Sequence, residues 1–530
     1  MKRITSILLA MILVLGMCGG AMLTIGAEEA ASDTWDGTAN IKWYLDGPNA
    51  DDVYELKTAE DLAGLAFLVG AANTEGRYTG VYHSADGTVA GYAPGSNDVA
   101  YRESAYIPTS IDGLTSVKGD TFLGKTVALT VDIILNEGDA EDWAEQAPAN
   151  MWQPIGGNCH EDAKKAGFDG FFDGQGHTVS GLYFKANGAN NGFVGLFGWT
   201  GQQFLATIKN LKLTNFYVSG EAVGTLVGRS NKGLKVENVY VGDGIVETTG
   251  TGAGALVGTV FGGAAEFTYC AVENVKVQGN KYMGIFTGMT VAQDISINNC
   301  YVKNSSVKGD GQVALVCGRM KAGELTIQNL YAIVELEATG TETETNSQLA
   351  GAGLVYGVAG DNNKPRVRSI EGFFHISTVT GAVINEEMTN LAAAIELTQI
   401  TGEMAKVTMP GLDYENVWKT VDGGTPVIEL RGSAAGDDEE DDDDDFFFED
   451  ENGGSNNNNS NNNSNNNNNG GNQSNNGDTT TTTGADDTAN TTGTSEQTSE
   501  DKGCGIVVGF SGLIFTTILA GAAVMLKKED

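Results

Sequence analysis

An apolar kernel bracketed by glycine returns along the middle of this chain at a fixed interval, and that period constrains the fold more than any local pattern. The kernels read Val194-Gly195-Leu196-Phe197-Gly198, Gly224-Thr225-Leu226-Val227-Gly228, Gly254-Ala255-Leu256-Val257-Gly258, Gly284-Ile285-Phe286-Thr287-Gly288, Ala314-Leu315-Val316-Cys317-Gly318 and Gly353-Leu354-Val355-Tyr356-Gly357. Their closing glycines are 30, 30, 30, 30 and 39 residues apart, so the last step carries an insertion, placed around Thr341–Gln348. A β-sandwich does not require so constant a period. A stack of equivalent coils does.

Between kernels run alternating segments such as Ile208-Lys209-Asn210-Leu211-Lys212-Leu213, which read as short strands. Leu211, Val239, Cys270, Cys300 and Leu330 share one register, with Leu213, Val241, Val272, Val302 and Ala332 two residues on. Period-two alternation puts both sets on one face, which must be the interior. Turns at Gly and Asn supply positive φ. The expectation is a mainly β protein, a parallel, right-handed β-helix of about six 30-residue coils with a small helical cap. Cys270 and Cys300 are one period apart and read as stacked small apolar thiols in the core.

The outward register runs Lys212, Tyr240, Ala271, Tyr301 and Tyr331, following Asn210, Asn238, Tyr269, Asn299 and Asn329 by two positions. Tyr240, Tyr301 and Tyr331 are therefore the candidate ligand-binding residues, an aromatic strip of the kind that packs on sugar rings or protein ligands. Acids and bases do not recur with the coil period. Asp169, Asp173 and His177 come nearest to an acid/base constellation, but Asp-Gly and Gln-Gly pairs are turn signals, so no catalytic residue is assigned. His83, His160, His177 and His375 are too scattered for a metal site, Cys159, Cys270, Cys300 and Cys317 lack CxxC spacing, and no cofactor is implied.

Both ends concern membranes. Lys2 and Arg3 precede an apolar run, and small residues lead to Ala27, which gives a signal peptide cleaved after Ala27. Gly505 to Leu526 is 22 uncharged residues, about 33 Å as a helix, followed by Lys527 and Lys528. The lysines place the short tail inside and the rest of the chain outside, with the lipid bilayer as its partner. Between Ser433 and Gly503 an acidic run, Asn blocks and Thr479–Thr483 can build no core and predict a disordered stalk. With 31 basic against 69 acidic residues the formal charge is −38, which argues against nucleic-acid binding.

The kernels resemble the glycine-rich GLUG repeats of secreted and surface proteins from Gram-positive and related gut bacteria. The flanks are similar as well: Trp35-Asp36-Gly37-Thr38, Val53 to Ala66, Phe122 to Ile133, Trp152-Gln153-Pro154-Ile155-Gly156, Phe168 to Leu182, and Thr425-Pro426-Val427-Ile428. Ile134 stands where that family often has a polar or acidic residue. The resemblance covers about Trp35 to Leu430 and implies a β-helix displayed at the cell surface, with no established chemistry. The resulting partition is 1–27 signal peptide, 28–190 leading cap, 191–375 repeat solenoid, 376–432 C-terminal cap, 433–503 stalk, 505–526 transmembrane helix and 527–530 cytoplasmic tail. In the leading cap Thr58 would N-cap a helix with the stripe Leu62, Leu65 and Val69, and Asn385–Thr398 would supply a second helical cap. The functional expectation is a non-catalytic, adhesin-like surface protein taking an extracellular glycan or protein ligand. A polysaccharide lyase or glycosidase on the same solenoid, and a passive structural envelope component, are the alternatives.

Overall fold

A computed structural model describes residues 34–428 except 73–77, 95–106, 157–166, 187–191, 292, 341–350, 360–365 and 381–391. The signal peptide and its cleavage after Ala27, the insertion at Thr341–Gln348, the stalk and the Gly505–Leu526 segment lie outside the described residues. Among the described residues no helix is long and apolar enough to cross a membrane.

The fold is a parallel β-solenoid. The kernel strands Phe197–Thr200, Val227–Ser230, Val257–Val260, Thr287–Thr290, Cys317–Met320 and Tyr356–Ala359 form one six-stranded sheet, which makes five full turns from first kernel to last where the repeats predicted about six coils. The longer segments Ala206–Gly224, Leu234–Gly254, Ile295–Gly309, Glu324–Ala338 and Arg366–Thr380 stack in the second sheet. Pairing follows the repeat: Leu211 faces Val239 and Cys300 faces Leu330, while Leu213, Val241, Val272, Val302 and Ala332 form one continuous row. All of these side chains are buried in the main core, as the alternation predicts. The solenoid also starts earlier than residue 191. Val53–Leu56 pairs with Thr126–Leu129, which pairs with Phe171–Asp173, which pairs with Thr207–Lys209.

The kernel glycines are explained by space rather than by φ, since none of Gly224, Gly228, Gly258, Gly288 and Gly318 has a left-handed backbone. A Cβ on Gly258 would sit 2.6 Å from the Gly228 carbonyl oxygen and 2.6 Å from the Val223 amide nitrogen. On Gly288 it would lie 2.5 Å from the Ala253 nitrogen, and on Gly318 2.3 Å from the Met283 nitrogen. At each kernel two strands meet backbone to backbone, leaving room for hydrogen alone.

The asparagines do the opposite job at the corners. Asn210, Asn238, Asn299 and Asn329 have φ of 53°, 54°, 50° and 57°, and a second corner repeats this at Asn215, Asp243, Asn274 and Asn304. Asparagine tolerates the left-handed region better than most residues. Stacking adds a second gain, because the Asn238 amide donates to Asn210 at 2.7 Å and the Asn329 amide to Asn299 at 3.0 Å.

Thr58 caps the helix Ala59–Gly70 as expected, accepting from the Asp61 amide at 3.2 Å, and Leu62, Leu65 and Val69 are buried in the core. A three-stranded antiparallel sheet of Tyr78–His83, Val89–Pro94 and Thr115–Val117 completes this leading cap. Non-solenoid segments also cover two outward aromatic ladders. Trp143 and Ala140 cover Tyr183, Tyr217 and Ile245, and the C-terminal module lays Ile400, Met409, Leu412, Trp418 and Ile428 on Ala271, Tyr301 and Tyr331. The helix expected over Asn385–Thr398 is not found in its described part. Ala393–Ala394 adds a short strand beside Phe374–His375, and Leu397–Gln399 is a single 3₁₀ turn. Backbone pairing to the last coil wins over helix propensity there; among the described residues of the module the α-helix is Met404–Thr408.

Two outcomes test this architecture. Gly258→Ala or Gly288→Ala is expected to cost about 1–3 kcal/mol in denaturant unfolding, since backbone must move to admit one methyl; a variant as stable as the parent would contradict the close approach. Burial, then Asp120 for Tyr44, Glu247 for Tyr217 and Glu273 for Tyr301, raises these phenols above their ordinary value of 10.0, and burial does the same for Tyr331. Their contribution to stability is complete below that value and is lost as pH rises past it, because the unfolded chain then releases protons first. Alkaline titration should show this set forming phenolate together with loss of far-UV circular dichroism, not before it.

Candidate ligand-binding ledge

The tyrosine strip is only half right. Tyr301 and Tyr331 stack on adjacent coils with ring centroids 5.5 Å apart and planes 7° from parallel. They are not a free surface, however, for Tyr301 is 4% and Tyr331 0% exposed. Trp418 lies at 6.1 and 5.6 Å from the two rings, the Tyr331 hydroxyl donates to the Pro426 carbonyl, and the Tyr301 hydroxyl donates to Glu273 Oε1 at 2.8 Å. A large apolar row on the outer face was covered by the chain's own C-terminal module, which alternation within a strand cannot reveal. Tyr240, half-buried, packs against the cluster that the module forms with Ala271, Tyr301 and Tyr331, and lies over Gly242, where an added Cβ would come within 2.5 Å of its hydroxyl.

Asp169, Asp173 and His177 do not converge. Asp169 is 2% exposed, its Oδ1 accepting from the amides of Gln203 at 2.9 Å and Phe204 at 3.4 Å, and burial raises its pKa. Asp173 caps the turn through the Gln175 amide at 2.9 Å and accepts from the Asn210 side chain at 3.0 Å. His177 Nδ1 is 3.2 Å from Asp132 Oδ1, which also accepts from the Thr178 amide at 2.8 Å. Each side chain is committed to a different backbone junction. Among the described residues no group of three His, Cys, Asp or Glu side chains could hold a metal ion. Cys270, Cys300 and Cys317 are buried free thiols, and burial raises the pKa of Cys270 and Cys317; Cys159 and His160 lie outside the described residues.

The residue that breaks a rule is Tyr269. It occupies the corner position that is asparagine in the neighbouring coils and takes φ of 54°, a conformation costing a bulky side chain about 1–2 kcal/mol. It also interrupts the amide ladder between Asn238 and Asn299. In exchange an aromatic ring stands at the edge of the C-terminal module, facing a cleft of about 60 Å³ lined by Asn210, Glu237, Asn238, Asn416, Val417 and Ile428. That volume has room for a sugar substituent or two waters, not for a whole ring.

Beside the cleft, Glu273 gathers Tyr301 and the Lys303 ammonium at 3.2 Å and faces Tyr240, whose phenol is raised by burial and then by Glu273. The ledge thus offers an aromatic face, side-chain amides that both donate and accept, and the Glu237 carboxylate as an acceptor, a combination suited to hydroxyl groups. Strain of this kind concentrates at functional positions. The signal was present in the sequence as the one bulky side chain in a corner series that is otherwise asparagine from Asn210 to Asn329 and glycine at Gly372. The opposing wall of Asn416, Val417 and Ile428 was not, because it arrives from the remote C-terminal module.

No family profile matches the chain. A curated protein described as "Putative Gly-rich membrane protein" from Evansella cellulosilytica is 33% identical over 93 residues, which is 17% of this chain and 10% of that protein. The match therefore spans about a tenth of the relative's length. Among solved structures, one described as the crystal structure of "a putative immunoglobulin A1 protease from Bacteroides ovatus" aligns over 59% of this chain and 88% of that one, at 14% identity and a TM-score of 0.33.

Proposed function

We propose that this chain is a GLUG-repeat type, membrane-anchored surface protein whose β-solenoid binds an external neutral glycan without chemical turnover. The observation that carries the reading is Tyr269: an aromatic side chain held in a costly backbone conformation, breaking a stabilising ladder, at the mouth of a polar cleft. The tight kernels support the repeat assignment, and the match to a protein described as Gly-rich and membranous supports the anchored display. The signal peptide and the Gly505–Leu526 helix belong to the same proposal and orient the solenoid outward. Glu237 beside the cleft favours uncharged, hydroxyl-rich ligands over anions.

Tyr269→Asn separates binding from folding. It restores the corner asparagine but removes the ring's packing against the C-terminal cluster, so stability should change by no more than about 1 kcal/mol while affinity for hits from a neutral-glycan array falls at least tenfold. Retained affinity in that variant would remove the ledge as the site, and release of new reducing or unsaturated ends from a bound glycan would replace binding by catalysis.

A further inference from the structure

A second surface, away from the ledge, lies at the re-entrant corner beside the kernels. The row Trp199, Arg229, Thr259, Met289 and Arg319 runs up consecutive coils at one position after the closing glycine. Across the corner stand Phe193, Ala222, Gly252 and Tyr282. The rows meet: Phe193 and Trp199 lie 5.3 Å apart edge to face, a Cβ on Gly252 would be 3.5 Å from Thr259 Oγ1, and Arg319 Nη1 donates to the Tyr282 hydroxyl. Phe193, Trp199 and Ala222 form a cluster of their own, separate from the main core.

Both arginines lie on aromatic faces here. The Arg229 guanidinium carbon is 5.0 Å from Phe193, 4.9 Å from Trp199 and 4.1 Å from Phe261, and that of Arg319 is 4.9 Å from Tyr282. In a chain with 69 acidic residues, Arg319 has no carboxylate partner among the described residues, and its buried Nε donates to nothing there. Thr259 is 3% exposed and its Oγ1 also lacks a partner. Arg229 bonds Asn231 through Nε at 3.2 Å and feels Glu221. The Arg319 guanidinium, backed by a ring and without a carboxylate among the described residues, is arranged to take a carboxylate from outside. Three coil steps of about 4.8 Å put the two arginines about 14 Å apart, so Arg229, already beside Glu221, would not share the carboxylate taken by Arg319.

We infer that this corner binds an acidic glycan through a sugar carboxylate on Arg319, with Arg229 adding a second positive charge and the exposed Phe261 against a sugar face. An extended peptide is disfavoured because the groove strands are already paired on both sides and offer no sheet edge for strand addition. The inference does not depend on the ledge.

Calorimetry of the full-length protein with oligogalacturonate, and with the neutral galacto-oligosaccharide of equal length, tests it. In the Tyr269→Asn background, where the ledge is disabled, saturable binding of the acidic oligomer alone is expected, weakening with added salt. Arg319→Gln should lower that affinity at least tenfold and Arg319→Lys several-fold, with unchanged thermal unfolding showing that the fold is intact. Tyr269→Asn should leave it unchanged, so the two sites fail or succeed separately. No saturable binding of oligogalacturonate, equal binding of the neutral oligomer in that background, or full affinity in a folded Arg319→Gln, Arg229→Gln double variant would each overturn the inference.

Discussion

Backbone touching backbone at the kernels is the constraint on which everything else in this protein rests. A coil can repeat every 30 residues only if each new turn lands on the last in register, and at Gly228, Gly258, Gly288 and Gly318 that landing leaves no room for a Cβ. The close approach fixes where each strand ends and the next begins. Register then carries through the whole second sheet, because a slip of one residue would turn Leu213, Val241, Val272 and Val302 out of the core together. The corner asparagines follow from the same geometry. Once the kernel fixes one bend of the coil, the others must fall at fixed offsets, and left-handed residues accumulate there in columns that bond to one another.

Much of this was legible in the chain because solenoids translate sequence period directly into spatial stacking. The kernels, the two interior registers and the Thr58-capped helix could all be read from residue types at intervals. What could not be read was whether an outward row would stay outward. Tyr301 and Tyr331 obey the alternation and still end inside, since a covering segment from residues 400–428 contributes Trp418 from far along the chain. Asp169, Asp173 and His177 look clustered in sequence, but turns aim each at a different backbone junction. Short-range pattern sees periodic elements well and sees poorly what a later segment will lay over them.

The two aromatic ladders show how an outer face is finished in such a fold. Tyr183 and Tyr217 stack on one side and Tyr301 and Tyr331 on another, and in each case a tryptophan from outside the coils closes the row. Burying these rings removes apolar surface that would otherwise be open to aggregation. It also means that a binding surface has to be made at the margins, where the covering segment stops. Tyr269 and Tyr240 lie at such a margin, while the corner groove with Arg229 and Arg319 lies on a face the two covering segments leave alone.

The side-on clasp of the C-terminal module has a mechanical meaning. A solenoid pulled from its last coil unzips, because backbone hydrogen bonds to one neighbour are then broken a few at a time. Here a pull on the chain beyond Ile428 first meets the Trp418–Lys419 and Val427–Ile428 pair seated against Tyr301 and Tyr331. The load enters through the flank at interior coils and must shear a packed aromatic seat before it reaches the terminal strand Arg366–Thr380. The clasp works as a strain relief, transferring tension past the weakest edge of the stack.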